Sequence, residues 1–350
     1  MTERPSTPTS KRPARKLTVA VTGPTGDIGR SLLRALEASR DVGAITAMAR
    51  SPFDPAAAGL RKTTYRQADV LDAAAVGEVI AGADVVVHLA FVIMGGLEET
   101  TSVNLQGSRN VFKATIEAGA KRLVYASSVA AYGFHGDNPD LLTEDVLARG
   151  TSRHYYSAQK AELESALWTL LDGSRTDAYV FRPCIVAGPD AQALLQSIPY
   201  LRLSERMPAA AFRALALMPA LKPVIPDPGV PFQLVHHDDV ATAMRAAVLG
   251  RGKPGVYNLA GEGTLTMANL ADALGWYSIP VPDLALGAVA ELVARLPFVP
   301  AQAQWIESVR HPVLMDTTKA RRQLRWRPRH DATETLDAMV QAGRSAHLIR

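Results

Sequence analysis

The chain has 350 residues, 47% hydrophobic and 21% charged, which is ample for a buried core in one large or two ordinary domains. Its formal charge of +4 is carried by residues 1–16, where Arg4, Lys11, Arg12, Arg15 and Lys16 stand against Glu3 (five minus one), so the remainder is formally neutral and a nucleic-acid face on the folded body has no support. The single cysteine, Cys184, rules out an internal disulfide framework and fits a reducing compartment, so a cytoplasmic protein is expected.

Residues 1–16 are rich in Pro, Ser and Thr, have no apolar run and lack the apolar region of a secretory signal, so a disordered basic tail is expected. Beyond it, "LTVAVTG" (17–23) reads as a buried strand, "IGRSLLRALEAS" (28–39) as a helix and "AITAMAR" (44–50) as a second strand. "ADVVVHLA" (83–90), "RLVYASS" (122–128) and "DAYVFRP" (177–183) are further strands, with helical patterns such as 108–119 and 157–171 between them. Continuous apolar strands alternating with helices predict an α/β fold, a parallel sheet covered on both faces. After Gly188 prolines cluster at 208, 219, 223, 226, 228 and 231. "FQLVHHDDVATAMRAAVLG" (232–250) then predicts a strand running into a helix, and 255–275 another strand, turn and helix. The stretches 207–225 and 284–300 are apolar, but Arg213 and Lys222 interrupt the first and Glu291 and Arg295 the second, so no stable membrane insertion is expected.

Gly23, Gly26 and Gly29 follow the first strand in the spacing G-x-x-G-x-x-G. Glycine lets backbone approach a pyrophosphate closely, and the helix that follows offers free N–H groups to the phosphates. Strand before and helix after give the turn its meaning as a dinucleotide site. The second strand ends Met48-Ala49-Arg50-Ser51 with no carboxylate for a ribose hydroxyl, Asp41 lying before the strand. Arg50 suits a 2′-phosphate, so NADP is favoured over NAD. Asp69, past a short strand, is a candidate partner for the adenine amino group.

Tyr156 and Lys160 stand at i and i+4, one turn apart on one helix face; Tyr155 has Gln159 at that offset. A phenol titrates near ~10, so work as a base near neutrality needs a neighbouring cation. Alone, this common spacing reads better as a structural pair than as an acid/base. Ser127 and Ser128 end an apolar strand upstream, where a hydroxyl can meet the substrate oxygen. Two other features are read as structural. In "HHDD" (236–239) the side chains would alternate on a strand, so four convergent metal ligands are not expected and a strand end with a helix cap is preferred. Cys184 has no base beside it, and no G-x-S-x-G turn makes Ser127 or Ser128 a hydrolase nucleophile.

The ordered set "TGPTGDIG", "ADVLD", "HLA", "VNLQGSRNV", "SSVAAYG", "YSAQK" and "RPCIVAGP", with "FQLVHHDDV", "GVYNLAG" and "MDTTKARRQLRWRP" behind it, resembles the extended short-chain dehydrogenase/reductase family, in particular its NAD-dependent epimerase/dehydratase branch, over roughly residues 17–340. The resemblance implies a Rossmann-like doubly wound sheet in an NAD(P)-binding domain, 17–190, and a mainly substrate-binding α/β region, 191–345, with 232–260 returning to the sheet. It implies Ser128, Tyr156 and Lys160 as catalytic residues, Tyr156 being the acid/base and Lys160 the ligand of the nicotinamide ribose. The implied cofactor site comprises Gly23, Thr25, Gly26, Asp27, Ile28, Gly29, Arg50, Asp69, Val70, Leu89, Ala90, Asn104 and Pro183, besides Tyr156 and Lys160, with no metal. A homodimer is expected by the same resemblance.

The chain departs from sugar-nucleotide members of that family in two places. Where they carry an arginine for the substrate's phosphates stands Pro231-Phe232-Gln233, and where they carry an asparagine stand Cys184 and Ile185. Leu201, Met207, Phe212, Leu215, Leu217, Met218 and Leu221 instead suggest a lining for an apolar substrate or a packed C-terminal core. The expected activity is hydride transfer between NAD(P) and a carbonyl or secondary alcohol on a small, largely apolar substrate. A nucleotide-sugar epimerase or dehydratase with retained cofactor is the first alternative, and a non-catalytic dinucleotide sensor or scaffold the second.

Overall fold

A computed structural model describes residues 15–93, 100–152, 154–196, 222–282 and 311–349. Eleven strands are described: β1 (Leu17–Thr22), β2 (Val42–Ala49), β3 (Thr63–Gln67), β4 (Val85–His88), β5 (Arg122–Ala126), β6 (Asp177–Pro183), β7 (Ile185–Ala187), β8 (Val224–Asp227), β9 (Leu234–His236), β10 (Gly255–Leu259) and β11 (Tyr277–Pro280). Seven of them form one sheet in the order β10-β6-β5-β4-β1-β2-β3, and every pairing in it is parallel. This is the expected Rossmann-like doubly wound fold. The order reverses between β1 and β4, which opens a crevice at their carboxyl ends.

The strand sequences dictate the two-sided cover. β4 is buried at all four positions, and alternate side chains of β1 and β4 go to opposite faces. Val19, Val21, Val85 and Val87 pack with Leu32, Leu33 and Leu36 of α1 (Asp27–Glu37) and with Val240 and Met244 of α6 (His237–Val248). Ala20 and Val86 pack on the other side, with Val76 and Ile80 of α2 (Ala73–Ile80), Val111 and Phe112 of α3 (Ser108–Glu117), and Leu163 and Leu167 of α4 (Tyr155–Leu171). Each such valine contributes about 1.5–3 kcal/mol by leaving water.

The C-terminal region has a core of its own. Leu195, in α5 (Gln192–Gln196), and Leu234 meet Leu274 of α7 (Met267–Leu274) and Leu336, Met339 and Val340 of α9 (Ala332–Ser345). A capping box starts α7 at Thr266 and another starts α9 at Asp331; α8 (Thr318–Gln323) lies between them in the chain. The segment 232–260 divides: β10 joins the large sheet beside β6, whereas β9 pairs with β7 in a separate two-stranded sheet. The apolar residues from Leu201 to Leu221, the stretch 284–300 and most of the basic tail lie outside the described residues. Among the described residues no helix is long and apolar enough to cross a membrane.

Candidate active site

The three glycines of the first turn do different physical work. Gly23 has φ +75°, and a Cβ there would meet the Ala90 nitrogen at 2.6 Å, so the turn rests directly on Leu89 and Ala90 after β4. A Cβ on Gly29 would meet the Pro24 carbonyl carbon at 2.7 Å, so this glycine lets α1 close against the turn. Gly26 caps α1, and a Cβ there would find nothing nearer than the Gly23 oxygen at 3.8 Å. Space beside the first helical turn is therefore open where an anion fits best, which is the cradle a pyrophosphate needs. Thr25 belongs to this turn, its carbonyl accepting from Arg30 Nε at 3.1 Å, and Ile28 packs inward on the core. Burial raises the pKa of Asp27, whose carboxylate has His237, Arg30 and Asp190 near it.

Arg50 stands exposed just past β2, its carbonyl accepting from Gln67 Nε2 at 2.8 Å. Asp69 turns one carboxylate oxygen to the Leu71 amide at 2.9 Å, and the buried Val70 beneath it presses on Gly107. Thr22 and His88 close the floor between β1 and β4: the Thr22 hydroxyl lies 2.7 Å from His88 Nδ1, and His88 Nε2 lies 2.9 Å from the Ser108 hydroxyl. Complete burial holds the His88 pKa down at about 3, so the ring is neutral.

Ser128 and α4 meet above β5. The Ser128 hydroxyl hydrogen-bonds the Tyr156 phenol, which lowers the phenol's pKa, but burial outweighs it and the value stands at about 12. Lys160 is 2% exposed. Its Nζ donates to the Ala126 carbonyl at 2.7 Å and lies 5.8 Å from the Tyr156 ring centroid. Burial lowers the Lys160 pKa to about 7, against the charge of Glu164, which raises it. Ser128, Tyr156 and Lys160 are thus brought together, and Pro183 closes β6 nearby in the sheet.

Asn104 is buried in a π-helical turn, Ser102–Gly107. Its amide spans both backbone groups of Val92, accepting from the nitrogen at 2.8 Å and donating to the oxygen at 2.9 Å, and also donates to Gln159 Oε1 at 2.8 Å. It therefore ties the exit of β4 to α4, next to Lys160. Sequence reasoning did not single out Phe91, His88, Gln159, Glu164 or Arg182, all of which shape this site. Of these only Glu164 carries a spacing signal, i+4 from Lys160.

His236 ends β9 and caps α6, its Nδ1 accepting from the Asp238 amide at 3.1 Å. Because the helix starts at His237, the side chains do not alternate as on a strand: ligand atoms of His236, His237 and Asp238 lie within 4.8 Å of one another. The His237 nitrogens are already engaged, Nδ1 with Ser31 at 2.8 Å and Nε2 accepting from the Asp190 amide at 3.1 Å. Cys184 is buried, and that burial pushes its thiol pKa up, so it stays protonated.

Similarity to other proteins agrees with this geometry. A family model described as the NAD dependent epimerase/dehydratase family matches residues 19–260. An uncharacterized protein of Mycobacterium tuberculosis is 25% identical over 261 residues, 73% of this chain and 64% of its own length. Cinnamoyl-CoA reductase 1 of Petunia hybrida is 27% identical over 214 residues, 56% of this chain and 64% of that one. Human 3 beta-hydroxysteroid dehydrogenase type 7 is 32% identical over 176 residues, 46% of each chain. The chain therefore spans less than two thirds of the length of these relatives. The crystal structure of UDP-glucuronic acid 4-epimerase from Bacillus cereus in complex with NAD shares the fold, with a TM-score of 0.70 over 95% of this chain and 100% of that one at 16% identity. With its glycine turn, its sheet order and the family match over most of its length, the chain belongs to the NAD-dependent epimerase/dehydratase family.

Proposed function

We propose that the chain is an NAD(P)-dependent oxidoreductase, preferring NADP, that moves hydride to or from a carbonyl or secondary alcohol on a small, largely apolar substrate. The observation that carries this reading is the meeting of Ser128, Tyr156 and Lys160 at the crevice end of the sheet, where the glycine turn also opens. The nicotinamide cofactor supplies or takes up the hydride when bound. Gly23, Thr25, Gly26, Asp27, Ile28 and Gly29 form the turn that would hold its pyrophosphate, Arg50 the 2′-phosphate, and Asp69 and Val70 the adenine. Leu89, Ala90, Asn104 and Pro183 would flank the bound cofactor, and Lys160 would hold its nicotinamide ribose.

With a pKa of about 12 the Tyr156 phenol is protonated near neutrality, ready to donate to a developing alkoxide. The Ser128 hydroxyl orients that phenol and offers a second hydrogen bond to the same substrate oxygen. The Lys160 ammonium stabilises the phenolate left behind, and its own pKa of about 7 makes that help sensitive to pH in the neutral range.

An apolar substrate is supported by what stands where a phosphate-binding arginine would be needed. Gln233 is spent on the backbone of Met315, accepting from its nitrogen at 2.8 Å and donating to its oxygen at 3.3 Å, and Phe232 is bridged to Leu265. The relative named for a hydroxysteroid points the same way. The family's own name keeps a nucleotide-sugar epimerase or dehydratase as the second reading.

The test is to denature the purified protein, identify any nicotinamide released, and titrate the empty protein with NADPH and NADH. Reversible NADPH binding by an empty protein is expected. One nicotinamide retained per chain through purification would favour the second reading, and binding of neither would favour a scaffold.

A further inference from the structure

Lys160 has a buried charge one helical turn beyond it. Tyr156, Lys160 and Glu164 occupy successive i, i+4 positions of α4 and so share a face. Glu164 is 2% exposed and its partner Arg182, in β6, is 4% exposed. Arg182 Nη2 donates to Glu164 Oε2 at 2.5 Å and Nε donates to Oε1 at 3.0 Å, a two-point pairing. The Ser127 hydroxyl donates to the same Oε1. The guanidinium is itself fixed, 4.3 Å from the Tyr132 ring centroid, with Nη1 donating to the Val146 carbonyl at 3.3 Å.

Such a pair is a poor way to stabilise a fold, since apolar side chains of the same volume often serve as well or better. Its placement suggests another role. Lys160 bonds Ala126 and Glu164 bonds Ser127, so two consecutive turns of α4 grip the segment that ends in Ser128. The other titratable groups packed around Lys160 bring no negative charge. His88 from β4 is neutral, Tyr125 from β5 has its phenol pKa pushed far up by burial, and Tyr156 is protonated near neutrality.

We propose that Glu164, held by Arg182, is a positioning residue of the proton-transfer site: it anchors Ser127 so that Ser128 faces Tyr156, and its negative charge keeps the buried Lys160 amine protonated. The inference rests on the roles given above to Ser128, Tyr156 and Lys160.

Its test follows Lys160 directly, through the pH titration of its 13Cε NMR signal, assigned by comparison with Lys160→Met. Glu164→Gln keeps an oxygen for Ser127 and removes only the charge. The proton affinity of Lys160 should fall about tenfold or more. Because Glu164→Gln leaves Arg182 buried without its counterion, Glu164→Leu/Arg182→Met serves as the variant that keeps volume without any buried charge, and the affinity should fall there too. An unchanged Lys160 titration in a folded variant of either kind would overturn the proposal. The signal needs no substrate: a protein that shifts Lys160 as expected yet transfers no hydride would contradict the proposed function and leave the Glu164 assignment standing.

Discussion

The Lys160 amine lies 3.7 Å from the centroid of the Phe91 ring. The same ring stands edge-on to Tyr156, with centroids 5.5 Å apart. Phe91 therefore covers both the cation and the phenol from the side of β4, and Asn104 pins the residue after it at both backbone groups. A cation over an aromatic face gains about 0.5–2 kcal/mol, which does not offset the loss of water: the Lys160 pKa falls from 10.5 to about 7.

That depression makes Lys160 a pH-dependent liability for the fold. Its folded value, about 7, lies below the ordinary 10.5, so the unfolded chain holds the extra proton between the two. The destabilisation is complete below about pH 7 and is relieved as pH rises toward 10.5. Lys160→Met should gain melting temperature over the native protein at pH 6, by several degrees, with the gap shrinking as pH rises toward 10. A gap that stays constant with pH would show that the lysine is protonated alike in both states.

Tyr156→Phe should cost turnover a factor of about 10²–10⁴ or more while leaving cofactor binding nearly intact. Ser128→Ala should raise the phenol's titration further, since that hydroxyl lowers it now; absorbance at 295 nm at high pH reads the change. Loss of cofactor binding in Tyr156→Phe would mark the tyrosine as structural.

The glycines separate fold from binding. Gly26→Ala meets no atom nearer than 3.8 Å, so it should keep stability to within about 1 kcal/mol and still weaken nicotinamide binding. Gly29→Ala meets backbone at 2.7 Å and should lower the melting temperature even without cofactor. Calorimetry with and without NADPH distinguishes the two.

Arg50→Asp should weaken NADPH about tenfold or more while NADH changes far less, since a charged hydrogen bond is worth about 1.5–3 kcal/mol. Equal losses for both, measured by fluorescence titration, would remove the 2′-phosphate assignment.

The local chemistry of this site was legible and its support was not. Continuous apolar strands such as Val85-Val86-Val87 read correctly because a parallel strand is buried on both faces. The glycine turn and the tyrosine–lysine spacing were visible because both are short-range, and the structure puts the glycines between β1 and α1 and the pair on α4. β9 was expected to rejoin the sheet, but its three residues pair with β7, a choice made by long-range packing that no window of sequence contains. The Glu164–Arg182 pair joins residues 18 apart on a helix and a strand, so only the fold brings them together. Phe91 has no periodicity at all; it matters because Asn104 fixes the backbone beside it.

The most direct test of the central claim is NADPH oxidation, followed at 340 nm, with a panel of apolar aldehydes and ketones and with UDP-sugars in parallel. The account predicts turnover with at least one apolar carbonyl by the native protein and loss of it in Tyr156→Phe. Turnover that survives in Tyr156→Phe, or conversion of a UDP-sugar with no net NADPH consumed, would contradict it.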